Sequence, residues 1–130
     1  MTLPYARTVG AAALAGGLCA AAPLAAGQFD GTYKLTPDAD CGLIGREDGA
    51  LRVKSGVLTG VETECRMTNP VNVRDMQGVL FDMQCSGEGS QWSERALFLR
   101  AADGGLILVW DGFAFAYDSC DATGPAKPGE

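Results

Sequence analysis

Along much of this chain, side chains alternate with a period of two, and that period decides the class of fold. Phe113, Phe115 and Tyr117 stand with Ala114 and Ala116 between them, and Val79, Phe81, Met83 and Cys85 alternate with Asp82 and Gln84. Val57, Thr59, Val61, Thr63 and Cys65 likewise fall opposite Glu62 and Glu64. Successive strand residues point to opposite faces, so such runs make half-buried strands and give a helix no coherent apolar stripe. GTYKL (31–35), ALRVK (50–54) and SERALFLR (93–100) read as strands with charge on one face. LILVW (106–110) is apolar throughout and suits the most buried strand. Turn signals separate these runs at Lys54-Ser55-Gly56, Asp103-Gly104-Gly105 and Asp111-Gly112. The expectation is an all-β domain, a small antiparallel β-barrel or sandwich of about seven short strands. One short helical segment is expected within TNPVNVRDMQG (68–78), with Thr68 or Asn69 as cap and Pro70 in the first turn, lying as a lid over one end.

The first 27 residues read as a signal peptide. One arginine and no acid precede VGAAALAGGLCAAAPLAA, an uncharged run of small and apolar residues. Cleavage after Gly27 leaves Ala25 and Gly27 at the −3 and −1 positions and makes Gln28 the new amino terminus. Glycines and alanines dilute the run too far for a stable membrane anchor, and Leu18 before Cys19 does not suit lipidation. Residues 28–121 then form a single β-domain, and the small, proline-rich stretch 122–130 is expected to be a disordered tail.

The chain has 10 basic and 16 acidic side chains, and removing Arg7 with the signal leaves 9 against 16, a formal charge of −7. Isolated basic residues do not make a phosphate-binding surface, which argues against nucleic acid as a partner. A basic protein surface suits the charge better. A chain of this size buries a modest core, and Cys41, Cys65, Cys85 and Cys120 supply reinforcement as two disulfides in an oxidising compartment, the periplasm or beyond. An up-and-down meander puts Cys41, Cys65 and Cys120 at one end and Cys85 at the other. Of the three connectivities we favour Cys41–Cys65 with Cys85–Cys120, which joins sequence-neighbouring loops.

The chain contains no histidine, which removes the usual general base, the usual partner of a nucleophile and the commonest transition-metal ligand. Cysteines held in disulfides offer no thiolate for catalysis or zinc. Ser86-Gly87-Glu88-Gly89-Ser90 lacks the Gly-x-Ser-x-Gly order of a nucleophile elbow and the Lys-Ser or Lys-Thr of a phosphate loop, so it reads as a hairpin turn. Glu62 and Glu64, about 7 Å apart on one strand face, are the one carboxylate pair a hydrolase could use, and a solvated strand face is the better reading. Asp38, Asp40, Glu47 and Asp48 crowd the segment around Cys41 but lack calcium-loop spacing. We therefore assign no enzymatic activity, no cofactor and no metal.

FDGTYKL, CRMTNPVNVRDM, CSGEGSQWSERALFL and DGGLILVWDG, in a frame from Phe29 to Cys120, resemble an uncharacterised family of short exported β-proteins of Gram-negative bacteria. That resemblance implies location and no activity. In size, export, acidity and disulfides the chain is also similar in format to periplasmic lysozyme inhibitors, although their inhibitory serine and lysine motif has no counterpart here. The expected function is binding, with loops 37–49, 66–78 and 86–92 as the working end and Trp92, Glu88 and Arg74 as candidate contact residues. Inhibition of a basic cell-wall hydrolase is its most specific form. The alternative is a carrier of a small apolar ligand or lipid, with Phe113, Phe115, Tyr117, Trp110 and Phe81 lining a barrel cavity.

Overall fold

A computed structural model describes residues 27–121 and, before them, only positions 2, 4, 10–13 and 15–17. The expected signal lies largely, and the expected tail wholly, outside the described residues. Among the described residues the fold is all-β, with nine strands: β1 (Gly31–Lys34), β2 (Asp40–Ile44), β3 (Gly49–Lys54), β4 (Val57–Gly60), β5 (Thr63–Asn72), β6 (Gly78–Gly87), β7 (Ser90–Arg100), β8 (Leu106–Trp110) and β9 (Phe113–Ser119). Strands β3 to β9 form an antiparallel meander, and β1 inserts between β9 and β3 to close an eight-stranded barrel. β2 is a short extra strand running parallel to β3. The fold is thus a barrel and not a sandwich, with nine strands in place of about seven.

The expected helix at 68–78 is absent. β5 continues through Thr68 to Asn72, paired to β6, and the chain reverses only at 73–77. Pairing slips by one residue between Thr68 and Val71, a bulge at Asn69-Pro70 in which Asn69 takes φ 51°. Thr68 Oγ1 donates to the Asp82 carbonyl at 2.6 Å and Asn69 Nδ2 to Asp82 Oδ2 at 3.0 Å. Residues suited to capping a helix therefore bond across the strands, a choice that long-range pairing makes and local propensity cannot. The run 57–65 is not one strand either, because Val61 and Glu62 form a turn between β4 and β5, with Glu62 at φ 48°. The Glu62/Glu64 strand-face pair is consequently not formed.

The barrel interior is packed. Phe29, Phe81 and Phe98 form an aromatic cluster with centroid separations of 5.3–6.2 Å, joined by Tyr33, Met83, Leu106 and Leu108, all essentially without solvent contact. Phe29 comes from the turn preceding β1 and seals the end where turns 55–56, 73–77 and 101–105 gather. Tyr33 Oη donates to the Phe29 carbonyl at 2.6 Å and accepts from Arg100 Nη1 at 3.3 Å. Arg100 also donates to the carbonyls of Gly104 and Gln28. One guanidinium thus ties the amino-terminal plug to the β7–β8 turn. β6 contributes more to the core than β8, whose Ile107 and Val109 point outward and stay half-buried.

The disulfides are Cys65–Cys85 and Cys41–Cys120, which corrects the favoured pairing. With β5 running on past Cys65 and returning as β6, Cys65 and Cys85 face each other across adjacent strands, with Cα atoms 4.0 Å apart. The extra strand β2 carries Cys41 to within 6.0 Å of Cys120, which follows β9. That bridge crosses β1 and pins the seam where the barrel closes. Two disulfides among the described residues fit an oxidising, extracytoplasmic compartment.

Candidate functional site at the open end

At the other end lie the turns 61–62, 88–89 and 111–112 and the excursion 35–48. Among the described residues nothing corresponding to Phe29 fills it. Leu35, Val61, Trp92, Phe113 and Phe115 are exposed here, Val61 at 51% and Phe113 at 66%. Val71 and Met76 are the exposed apolar residues toward the sealed end. A depression of about 270 Å³ sits inside the open rim, lined on one part by Leu35, Leu51, Val61 and Tyr117 and on another by the charged Arg46 and Asp48. Burial pushes the Tyr117 hydroxyl above its ordinary pKa.

The β6–β7 hairpin projects past β8 because β7 pairs with β8 only from Ala96 onward, whereas it pairs with β6 along almost its whole length. Glu88 and Gly89 form its two-residue turn, with φ 48° and 78°. Positive φ at both central positions is the geometry that matches strand twist in tight hairpins. Trp92 lies opposite Cys85, on the concave face of this hairpin, and is 38% exposed.

The hairpin's convex face is polar. Neighbouring strands align Glu64, Ser86 and Gln91 in one row, Arg66, Gln84 and Ser93 in the next, and Thr68, Asp82 and Arg95 in a third. Ser93 Oγ donates to Gln84 Oε1 at 2.8 Å and Arg95 Nε to Asp82 Oδ1 at 3.1 Å. Hydrogen bonds from Asn69 and then Arg95 hold the Asp82 carboxyl below its usual pKa. The ion pair is open to water and adds little stability. An open groove of about 370 Å³ runs along the first two of these rows.

The three candidate contact residues do not converge. Trp92 and Glu88 share the projecting hairpin, but Arg74 lies in the 73–77 turn at the sealed end. The loop set 37–49, 66–78 and 86–92 is divided in the same way, since reading 68–78 as a helix hid the reversal at 73–77. Nor do the aromatics line an enclosed cavity: Phe81 is buried in the core while Phe113 and Phe115 face solvent. Leu35 and Val61, absent from the candidate contact residues, are also exposed at this end, and Gly60, which ends β4 just before the 61–62 turn, is the local sign of Val61's position. Among the described residues no three His, Cys, Asp or Glu side chains converge to hold a metal ion. Compared with known protein families, with curated proteins and with solved structures, the chain matches none.

Proposed function

We propose that this is a periplasmic binding module acting through contact with a protein partner at the open end of the barrel, centred on the β6–β7 hairpin. The observation that carries this reading is the contrast between a filled interior and exposed Trp92 on a projecting hairpin. Exposed tryptophans supply much of the energy of protein interfaces when a partner covers them. Acidity favours a basic partner, and a cell-wall hydrolase is the most specific candidate. Trp92 and Glu88 remain the proposed contact residues. Arg74, at the far end, is not part of this surface.

The test is to immobilise the disulfide-intact protein, expose it to a basic lysozyme, and measure both retention and residual lytic activity. Retention with inhibition by the wild type, lost in Trp92→Ala, supports the specific reading. Absence of both leaves the hydrolase without support; absence of any retained protein from a periplasmic extract as well removes the binding module.

A second reading, carriage of a small apolar group, draws on the apolar depression at the rim. Its volume of about 270 Å³ lies just below the usual range for ligand pockets, roughly 300–1,000 Å³. Native mass spectrometry of freshly purified protein would reveal such a passenger.

A further inference from the structure

Closure of the barrel rests on two residue pairs between β1 and β9, Tyr33 with Ser119 and Lys34 with Asp118. β1 then ends, and Phe113 to Tyr117 of β9 have no strand partner on that side among the described residues. Which backbone groups this leaves open follows from alternation. The Cys120 N–H bonds the Thr32 carbonyl of β1 at 2.8 Å, so even-numbered residues of β9 aim their amides and carbonyls away from β8. Ala114 and Ala116 therefore present two N–H and two C=O groups at an exposed edge.

Two other stretches of edge are protected. Beyond β4, β5 carries the Asn69 bulge and Pro70, which cannot donate to a ladder. Beyond β8, the edge of β7 carries Glu94 and Arg95, both exposed. Residues 113–117 have no charge, no proline and no bulge.

We propose that this edge of β9 pairs with the same edge of a second copy, giving a two-fold symmetric dimer with a continuous sheet across the interface. The sequence Phe-Ala-Phe-Ala-Tyr reads nearly the same in both directions, so an antiparallel pair centred on Phe115 is self-complementary, as two-fold symmetry requires. Ala114 of each copy meets Ala116 of the other, and each such pair exchanges two backbone hydrogen bonds. Phe115 meets its own counterpart on the axis at a non-hydrogen-bonded position, where side chains approach most closely. Phe113 meets Tyr117 of the second copy, so the aromatic side chains form one cluster on one face. The same register sets each Asp111-Gly112 turn against the end of the other copy's β1, where Lys34 offers opposite charge to Asp111.

Sedimentation equilibrium on the purified protein with both disulfides intact is the test. A concentration-dependent dimer is expected. Ala114→Pro removes an edge donor without touching the β8 ladder, and Phe113→Lys places charge in the cluster. Each should weaken association by about tenfold or more while leaving disulfides and circular dichroism unchanged. Register is read by oxidation: Phe115→Cys should cross-link to itself, whereas Phe113→Cys, whose neighbour is Tyr117, should not. A wild type that stays monomeric at high micromolar concentration overturns the proposal. So does a dimer indifferent to both edge substitutions, which would use another face. None of these outcomes depends on Trp92 or on a hydrolase.

Discussion

The two ends of this barrel both carry large apolar side chains and use them in opposite ways. At one end Phe29 enters from outside the meander, packs edge-on against Phe81 and tilted against Phe98, and is held there by Tyr33 and Arg100. At the other, Val61, Trp92, Phe113 and Phe115 are left in water. A small domain has little stability to spare, and here one aromatic set is buried to hold the fold while another is left exposed. The sealed end holds the molecule together and the open end is free to meet something else.

The disulfides offer the largest test of that division. Cys41–Cys120 closes a separation of 79 residues at the barrel seam, and the chain-entropy estimate gives roughly 4.5 kcal/mol. Cys65–Cys85 closes 20 residues across an already paired hairpin beneath Trp92, for roughly 3.3 kcal/mol. Replacing each pair by alanine should therefore lower the urea midpoint more for the seam. The reverse order would mean that the β5–β6 pairing, and not the seam, limits stability.

Substitutions of phenylalanine sharpen the contrast. Phe29→Ala should cost about 3–5 kcal/mol, as expected for emptying a fully buried aromatic site. Phe113→Ala, at 66% exposure, should stay within about 0.5 kcal/mol in the monomer. Comparable losses in urea unfolding would erase the distinction between the ends.

The smallest effect concerns the two tyrosines of a chain starting at Gln28. Burial raises both hydroxyls above their ordinary value, opposed at Tyr33 by the Arg100 charge. A raised folded pKa favours the neutral phenol, so this contribution is complete below about pH 10 and is lost as pH rises through the raised value. Tyr33 is clamped between Phe29 and Arg100, so its ionisation should accompany unfolding. Tyr117 borders the open depression and should ionise while the barrel stays folded. Absorbance titration of the wild type and Tyr117→Phe, with circular dichroism, separates the two; a single transition coincident with unfolding in both would refute the assignment.

Much of the fold was legible because strand periodicity is local. Val79 to Cys85 alternate in burial as they do in the sequence, Phe113 to Tyr117 form the expected strand although both its faces are exposed as far as Ala116, and Glu88-Gly89 turns the hairpin that its composition announces. The working surface was less legible. Phe113 and Phe81 look alike in the sequence, yet one is exposed and the other buried, because exposure depends on how far the neighbouring strand extends.

The sequence alone determined the period of two, the acidity, the absence of histidine and the even cysteine count from Gln28 onward, since each is a property of residues and near neighbours. Tertiary structure decided which cysteines meet, that 68–72 is strand, and that β1 stops short of covering β9. Those outcomes depend on register between segments distant in the chain, and a bulge at Asn69 or a four-residue β1 changes them without altering the local pattern.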